Sequence, residues 1–182
     1  MPIKTNIILI RHAEKPNSGP GLAIAGQERA QAYVVYFQNL MIGGKPIKFD
    51  YLFSCADSPD SCRPRLTIQP LADALKLKIK HKYAVDDFKK LKKTIKHKTK
   101  YNNCNILICW HHEKILDLAS AFGADIKTLP ASSNWPVPPW PNKIFGALLQ
   151  ISFDDKGDIN TNQTICLNQK LMYDDIEAEK TA

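Results

Sequence analysis

The sequence predicts a three-layer α/β/α sandwich on a mostly parallel central sheet. Two observations carry that expectation. Short apolar runs alternate along the chain with longer helical stretches, the order that builds βαβ units and covers a parallel sheet on both faces. No internal repeat and no linker divides the chain, and 182 residues suit one domain with a well-buried core. The domain is expected over residues 1–173, with an acidic, polar and frayed tail at 174–182.

The elements follow in order. "NIILI" (6–10) is a strand, and "GLAIAGQERAQAYVVYFQNL" (21–40) a helical stretch. After the turn-like "IGGKPIKFD", "YLFSC" (51–55) is a second strand. "SCRPRLTIQPLADALKL" reads as a helix with Leu66, Leu71, Ala72 and Leu75 on its inner side. Pro64 is tolerable in a first turn, whereas Pro70 predicts a kink or break. "KLKIKHKY" alternates Leu77 and Ile79 with lysine, the period of a half-buried edge strand. In "DDFKKLKKTIKHK" Phe88, Leu91 and Ile95 recur at helical spacing. "NILICW" (105–110) is a long apolar strand that runs into "HHEKILDLASAFG", a helix ended by Gly123. A proline-rich loop, "LPASSNWPVPPWPN", precedes a last strand pair, "IFGALLQISF" and "QTICLNQ", joined at Asp155–Gly157.

Composition narrows the class. Hydrophobic residues at 44% and charged residues at 24% are those of an ordinary globular protein rather than a disordered one. No apolar run approaches the roughly 20 residues that span a bilayer, so no membrane association is expected. The N-terminus has too short an apolar core for a secretory signal, and the expectation is a cytoplasmic protein. Five cysteines without a C-x-x-C pair read as reduced thiols, and no Cys/His spacing supports zinc. The net charge of +7 is concentrated: eleven lysines fall between Lys76 and Lys100. Their spacing around Leu91 and Ile95 makes them the solvated face of an amphipathic helix. No aromatic or glycine-rich motif accompanies them, which argues against a nucleic-acid footprint. Such a field can instead draw in an anionic substrate.

In open α/β sheets, ligands bind at the carboxyl ends of the strands. There "NIILI" delivers Arg11 and His12, "YLFSC" leads towards Arg63, and "NILICW" ends in His111 and His112. Any one pair is explained by a strand end satisfied by backbone carbonyls; three converging exits point to a site. Arginine forks bind phosphate oxygens bidentately and offset charge in phosphoryl transfer. A neutral imidazole held in such a clamp can attack phosphorus, and a second histidine adds a donor. The arginines supply the positive charge, so neither a metal nor another cofactor is expected.

These segments resemble a known family. "LIRHAEKP" is similar to the signature of the histidine phosphatase superfamily, the phosphoglycerate-mutase-like proteins, with Ala13 where the family has glycine. "GLAIAGQERAQA" resembles the segment that opens the family's first long helix. "SCRPRLTIQPLADAL" resembles its Arg-x-x-x-Thr helix start, with Arg63 and Thr67 at that separation. "NILICWHHEKI" resembles the strand carrying the second catalytic histidine, aligned here with His112. The resemblance runs from about Asn6 to Gly123.

It implies His12 as nucleophile and Arg11, Arg63 and His112 as the phosphate pocket. Glu113, directly after the second histidine, takes the place of the general acid, with Glu14, Asp57, Asp86 and Asp87 as rivals. The implied activity is hydrolysis of a small-molecule phosphate ester or other phosphorylated substrate through a phosphohistidine. The alternative is a phospho-ligand-binding protein with the same pocket and no turnover. Strand alternation predicts that His111 points away from His112, as a structural residue beside Trp110. Glu14 and Lys15 are expected to pair, and Trp135 and Trp140 either line the pocket mouth or stiffen its loop.

Overall fold

Two apolar strands lie side by side at the centre of the protein. In the computed structural model, which describes residues 1–124, 140, 142–173 and 175, β1 (Asn6–Arg11) pairs in parallel with β6 (Asn105–Trp110), and Arg11 stands opposite Trp110. Ile7 to Ile10 and Ile106 to Cys109 are all fully buried, because both faces of these strands are covered.

The remaining elements in chain order are α1 (Ile24–Gln38), a small hairpin of β2 (Met41–Ile42) and β3 (Lys45–Pro46), and β4 (Tyr51–Cys55). Next come α2 (Arg63–Leu75), β5 (Ile79–Tyr83) and α3 (Phe88–His97). After β6 the chain forms α4 (His112–Ala121), β7 (Ala147–Ser152) and β8 (Ile165–Asn168). The six-stranded sheet has the order β5-β4-β6-β1-β7-β8. Its first four strands are parallel, β7 runs antiparallel to β1, and β8 runs antiparallel to β7. The chain steps outward twice, from β1 to β4 to β5, and then returns. With crossovers of one hand, that reversal puts α3 on the face opposite α1 and α2.

The core divides accordingly. Ile8 and Ile10 pack with Tyr33 and Phe37 of α1 and with Ile68 and Leu71 of α2. On the other face Ile7 and Leu9 pack with Leu91 and Ile95 of α3 and with Ile115 and Leu118 of α4. The expected sandwich is therefore observed. Among the described residues no helix is long and apolar enough to cross a membrane.

Two local expectations change, at Pro70 and in the tail, and the open one at Trp140 is decided for packing. Helix α2 continues without a break through Pro70; its buried face is Pro64, Thr67, Ile68, Leu71 and Ala72, which hold it against the sheet, while Leu66 and Leu75 are half-buried. Trp140 is buried in the core and donates its indole N–H to the Ile144 carbonyl at 2.8 Å, so it is a packing residue rather than a pocket rim. Trp135 and most of the proline-rich loop lie outside the described residues. In the tail, Asp175 is buried rather than frayed.

The lysine-rich segment behaves as its spacing predicts. Leu91 and Ile95 are fully buried, and Lys89, Lys90, Lys93 and Lys96 are exposed. Leu91→Ala should lower stability by about 2–5 kcal/mol through lost burial and a residual cavity. Lys93→Ala should change it by no more than about 0.5 kcal/mol. Urea unfolding of the two variants checks both, and comparable losses would refute the solvated-face reading.

Candidate active site

The parallel ladder between β1 and β6 extends one residue past the end of β1. The His12 N–H donates to the Trp110 carbonyl at 3.1 Å, which fixes His12 beside the residue that follows Trp110. That residue is His111, the N-cap of α4. The ring centroids of His12 and His111 are 5.0 Å apart, and those of His12 and His112 are 6.1 Å apart. Both imidazoles of the pair therefore face His12, and His111 is the nearer. The expectation that His111 turns away fails because β6 ends at Trp110: a helix start replaces strand alternation.

His12 is buried, and its Nδ1 lies 2.7 Å from the Ala13 carbonyl. A carbonyl only accepts, so Nδ1 carries the hydrogen and Nε2 of the neutral ring keeps its lone pair. Burial is the main cause that pushes His12 down to about 3, with further lowering by Arg11, His111 and Arg63. His111 is pushed down to about 4 by burial and then by Arg63, and His112 is lowered by burial and by Arg11. All three are neutral at pH 7.

Arg11 occupies the end of β1, and its Nη1 donates to the carbonyls of Asn142 at 2.8 Å and Ile144 at 3.1 Å. Its guanidinium carbon lies 4.0 Å above the centre of the Phe145 ring. Burial lowers it to about 10, so it remains a cation at neutral pH.

Arg63 opens α2, with Nη1 donating to the Gly19 carbonyl at 3.3 Å. Its charge acts on both His12 and His111. Its Nε and the Nδ1 of His112 are buried without a hydrogen-bond partner among the described residues. Thr67 explains the four-residue spacing. One turn into α2, its hydroxyl donates to the Arg63 carbonyl at 2.8 Å and accepts the Ala13 N–H at 2.8 Å. A single side chain thus ties the start of α2 to the backbone beside His12.

The carboxylates sort by partner. Glu14 does not pair with Lys15; it takes the fork of Arg29, with Nη2 at 2.6 Å. Asp57 pairs with Arg65, Asp87 with Lys90, and Asp86 lies 3.6 Å from Lys114. Glu113 makes no ion pair among the described residues, is exposed, and its charge acts on His111 and His112.

The structure thus brings Arg11, His12, Arg63, His112 and Glu113 to one edge of the sheet. Sequence reasoning set His111 aside as structural and missed the Asn142–Phe145 segment. The doubled histidine itself was a signal for the first; nothing in the sequence marked carbonyls of a loop more than 130 residues away.

The buried imidazoles carry a sign for acid stability. Unfolded histidines titrate near 6.5, well above the values in the fold. Between about pH 6.5 and 4 the unfolded chain binds more protons, so stability is fully present above 6.5 and falls on acidification. His12→Gln should make that fall shallower. Urea midpoints of both proteins at about pH 7 and 5 test it, and an equal drop in the two would overturn the assignment.

No family model matches the sequence, and no curated protein matches it. Solved structures do. The putative phosphohistidine phosphatase SixA from Agrobacterium tumefaciens is 17% identical and superposes with a TM-score of 0.55, over 86% of this chain and 96% of that one. A protein histidine phosphatase SixA complexed with tungstate is 14% identical, with a TM-score of 0.55 over 88% and 96%. A phosphoglycerate mutase from Plasmodium falciparum is 14% identical, with a TM-score of 0.54 over 85% and 86%. This chain therefore has the fold that these SixA phosphatases and this phosphoglycerate mutase share.

Proposed function

We propose that the protein is a metal-independent phosphatase that hydrolyses a phosphomonoester through a phosphohistidine on His12. The observation that carries this reading is the state of the His12 ring. It is neutral, hydrogen-bonded through Nδ1 to Ala13, and surrounded by cations, which leaves Nε2 as a nucleophile facing a site suited to an anion.

In the first step Nε2 attacks phosphorus and the bond to the leaving oxygen breaks. Arg11 and Arg63 neutralise the equatorial oxygens, in the place that metal ions take in other phosphoryl transferases. His111 is the nearer second imidazole, with its ring centroid 5.0 Å from that of His12 against 6.1 Å for His112. A bound dianion favours protonation of both, which turns them into donors. Glu113 gives its proton to the leaving oxygen. In the second step it takes a proton from water, the P–N bond breaks, and inorganic phosphate leaves with His12 restored. Glu113 is the choice because its rivals are held in ion pairs. Among neighbours of this fold, one is described as a putative phosphohistidine phosphatase, and another, a protein histidine phosphatase, holds tungstate, a tetrahedral oxyanion.

The exposure of Glu113 favours one other reading, a phospho-ligand binder with no competent acid. The leaving group separates the two. With p-nitrophenyl phosphate, which needs little protonation, His12→Ala should abolish turnover and EDTA should leave the rate unchanged. Arg63→Ala should lower kcat/KM by about a hundredfold or more, as loss of a charge-stabilising donor does. His111→Ala should cost more than His112→Ala. Glu113→Gln should slow an alkyl phosphate more than the aryl ester. Tight vanadate binding without turnover of either ester would favour the binder, and activity in His12→Ala would end the phosphohistidine reading.

A further inference from the structure

Arg29 lies on α1 with its side chain fully buried, and two carboxylates from distant parts of the chain grip it. Its Nε and Nη2 donate to Glu14 Oε1 at 2.9 and 2.6 Å. Its Nη1 and Nη2 donate to Asp175 Oδ2 and Oδ1 at 2.8 and 2.9 Å. Five guanidinium donors in a rigid fork allow this double bidentate grip, and a lysine cannot reproduce it.

Each carboxylate belongs to a wall of the site. Glu14 is two residues beyond His12, and its backbone is pressed against α1. A Cβ on Gly26 would come within 2.5 Å of the Glu14 carbonyl oxygen, and that oxygen accepts the Ala23 N–H at 3.0 Å. Asp175 packs so closely on Gly146 that a Cβ there would overlap its carboxylate. Gly146 follows Phe145, the ring beneath Arg11, and Ile144, whose carbonyl holds Arg11. Asp175 Oδ2 also accepts the N–H groups of Leu171 and Met172, both at 3.1 Å, and its carbonyl accepts from Asn168 Nδ2 at 2.9 Å. The segment after β8 is therefore clamped to the His12–Glu14 turn through Arg29 and to the Arg11 loop through Gly146.

We infer that Arg29 and Asp175 are positioning residues: by docking the C-terminal segment, they hold His12 and Arg11 in register for attack on phosphorus. This rests on the phosphohistidine reading above. Neither side chain touches the reacting atoms; each acts through Glu14 or Gly146. Reactive geometry is steep, so a shift of about 1 Å at His12 can cost about a hundredfold in rate.

The experiment uses full-length Asp175→Asn, Arg29→Lys and Asn168→Ala, with p-nitrophenyl phosphate turnover and thermal unfolding measured together. At a temperature where each variant is folded, kcat should fall about tenfold or more in Asp175→Asn and Arg29→Lys, with KM changed by less than about threefold. Asn168→Ala, which loosens the segment without touching the buried charges, should give a smaller fall in kcat in the same direction. A merely structural role would lower the melting temperature and leave kcat per folded molecule within about twofold of wild type, which overturns the inference. Should Asp175→Asn and Arg29→Lys fail to fold, Asn168→Ala decides by the same criterion. Absence of turnover and of a phosphoenzyme in the wild type would instead overturn the phosphatase reading on its own.

Discussion

The parallel pairing of β1 with β6 is the constraint on which the site depends. Its register sets Arg11 opposite Trp110, and one further ladder hydrogen bond, from His12 to Trp110, carries the alignment past the strand ends. Two imidazoles separated by about a hundred positions in sequence are thereby brought into an edge-to-face contact. A slip of one residue would turn every β1 side chain to the opposite face of the sheet and carry Arg11 and His12 with it. Full burial on both faces opposes that slip, since every residue from Ile7 to Ile10 would exchange one apolar environment for another of different shape.

Around that pair the protein gathers cations in a place that water scarcely reaches. Arg11 and His12 are almost wholly buried, and among the described residues Arg11 donates to the carbonyls of Asn142 and Ile144. The acidic groups nearest in sequence are engaged elsewhere, Glu14 with Arg29 and Asp57 with Arg65. Arg11 and Arg63 put cationic charge at this end of the sheet, and low local dielectric strengthens its pull on any anion. The same burial keeps the imidazoles unprotonated, so neutral histidines and cationic arginines coexist there at one pH.

Much of this was legible in the chain. Apolar runs read as strands because a sheet covered on both faces leaves no polar alternation, and strand exits read as a site because Arg11-His12, Arg63 and His111-His112 all sit at carboxyl ends. What stayed hidden were choices made by neighbours. Which histidine comes nearer depends on where β6 yields to α4, a boundary that apolar spacing locates only to within a residue or two. Glu14 chose Arg29 over adjacent Lys15 because α1 packs on the loop at Gly26, a long-range contact. Pro70 reads as a helix breaker by propensity, yet Ile68, Leu71 and Ala72 pack well enough to override it.

The outermost position of β5 gives the lysine-rich stretch a second meaning. An edge strand offers unpaired backbone groups to any passing chain, and a bare apolar edge would recruit another copy into a continuous sheet. Lys80 and Lys82 lie along this open border, with Lys78 just before it. A second copy docking strand to strand would have to bring its own ammonium groups against them. The charge that looks like a lure for polyanions is thereby also a guard against self-templated aggregation.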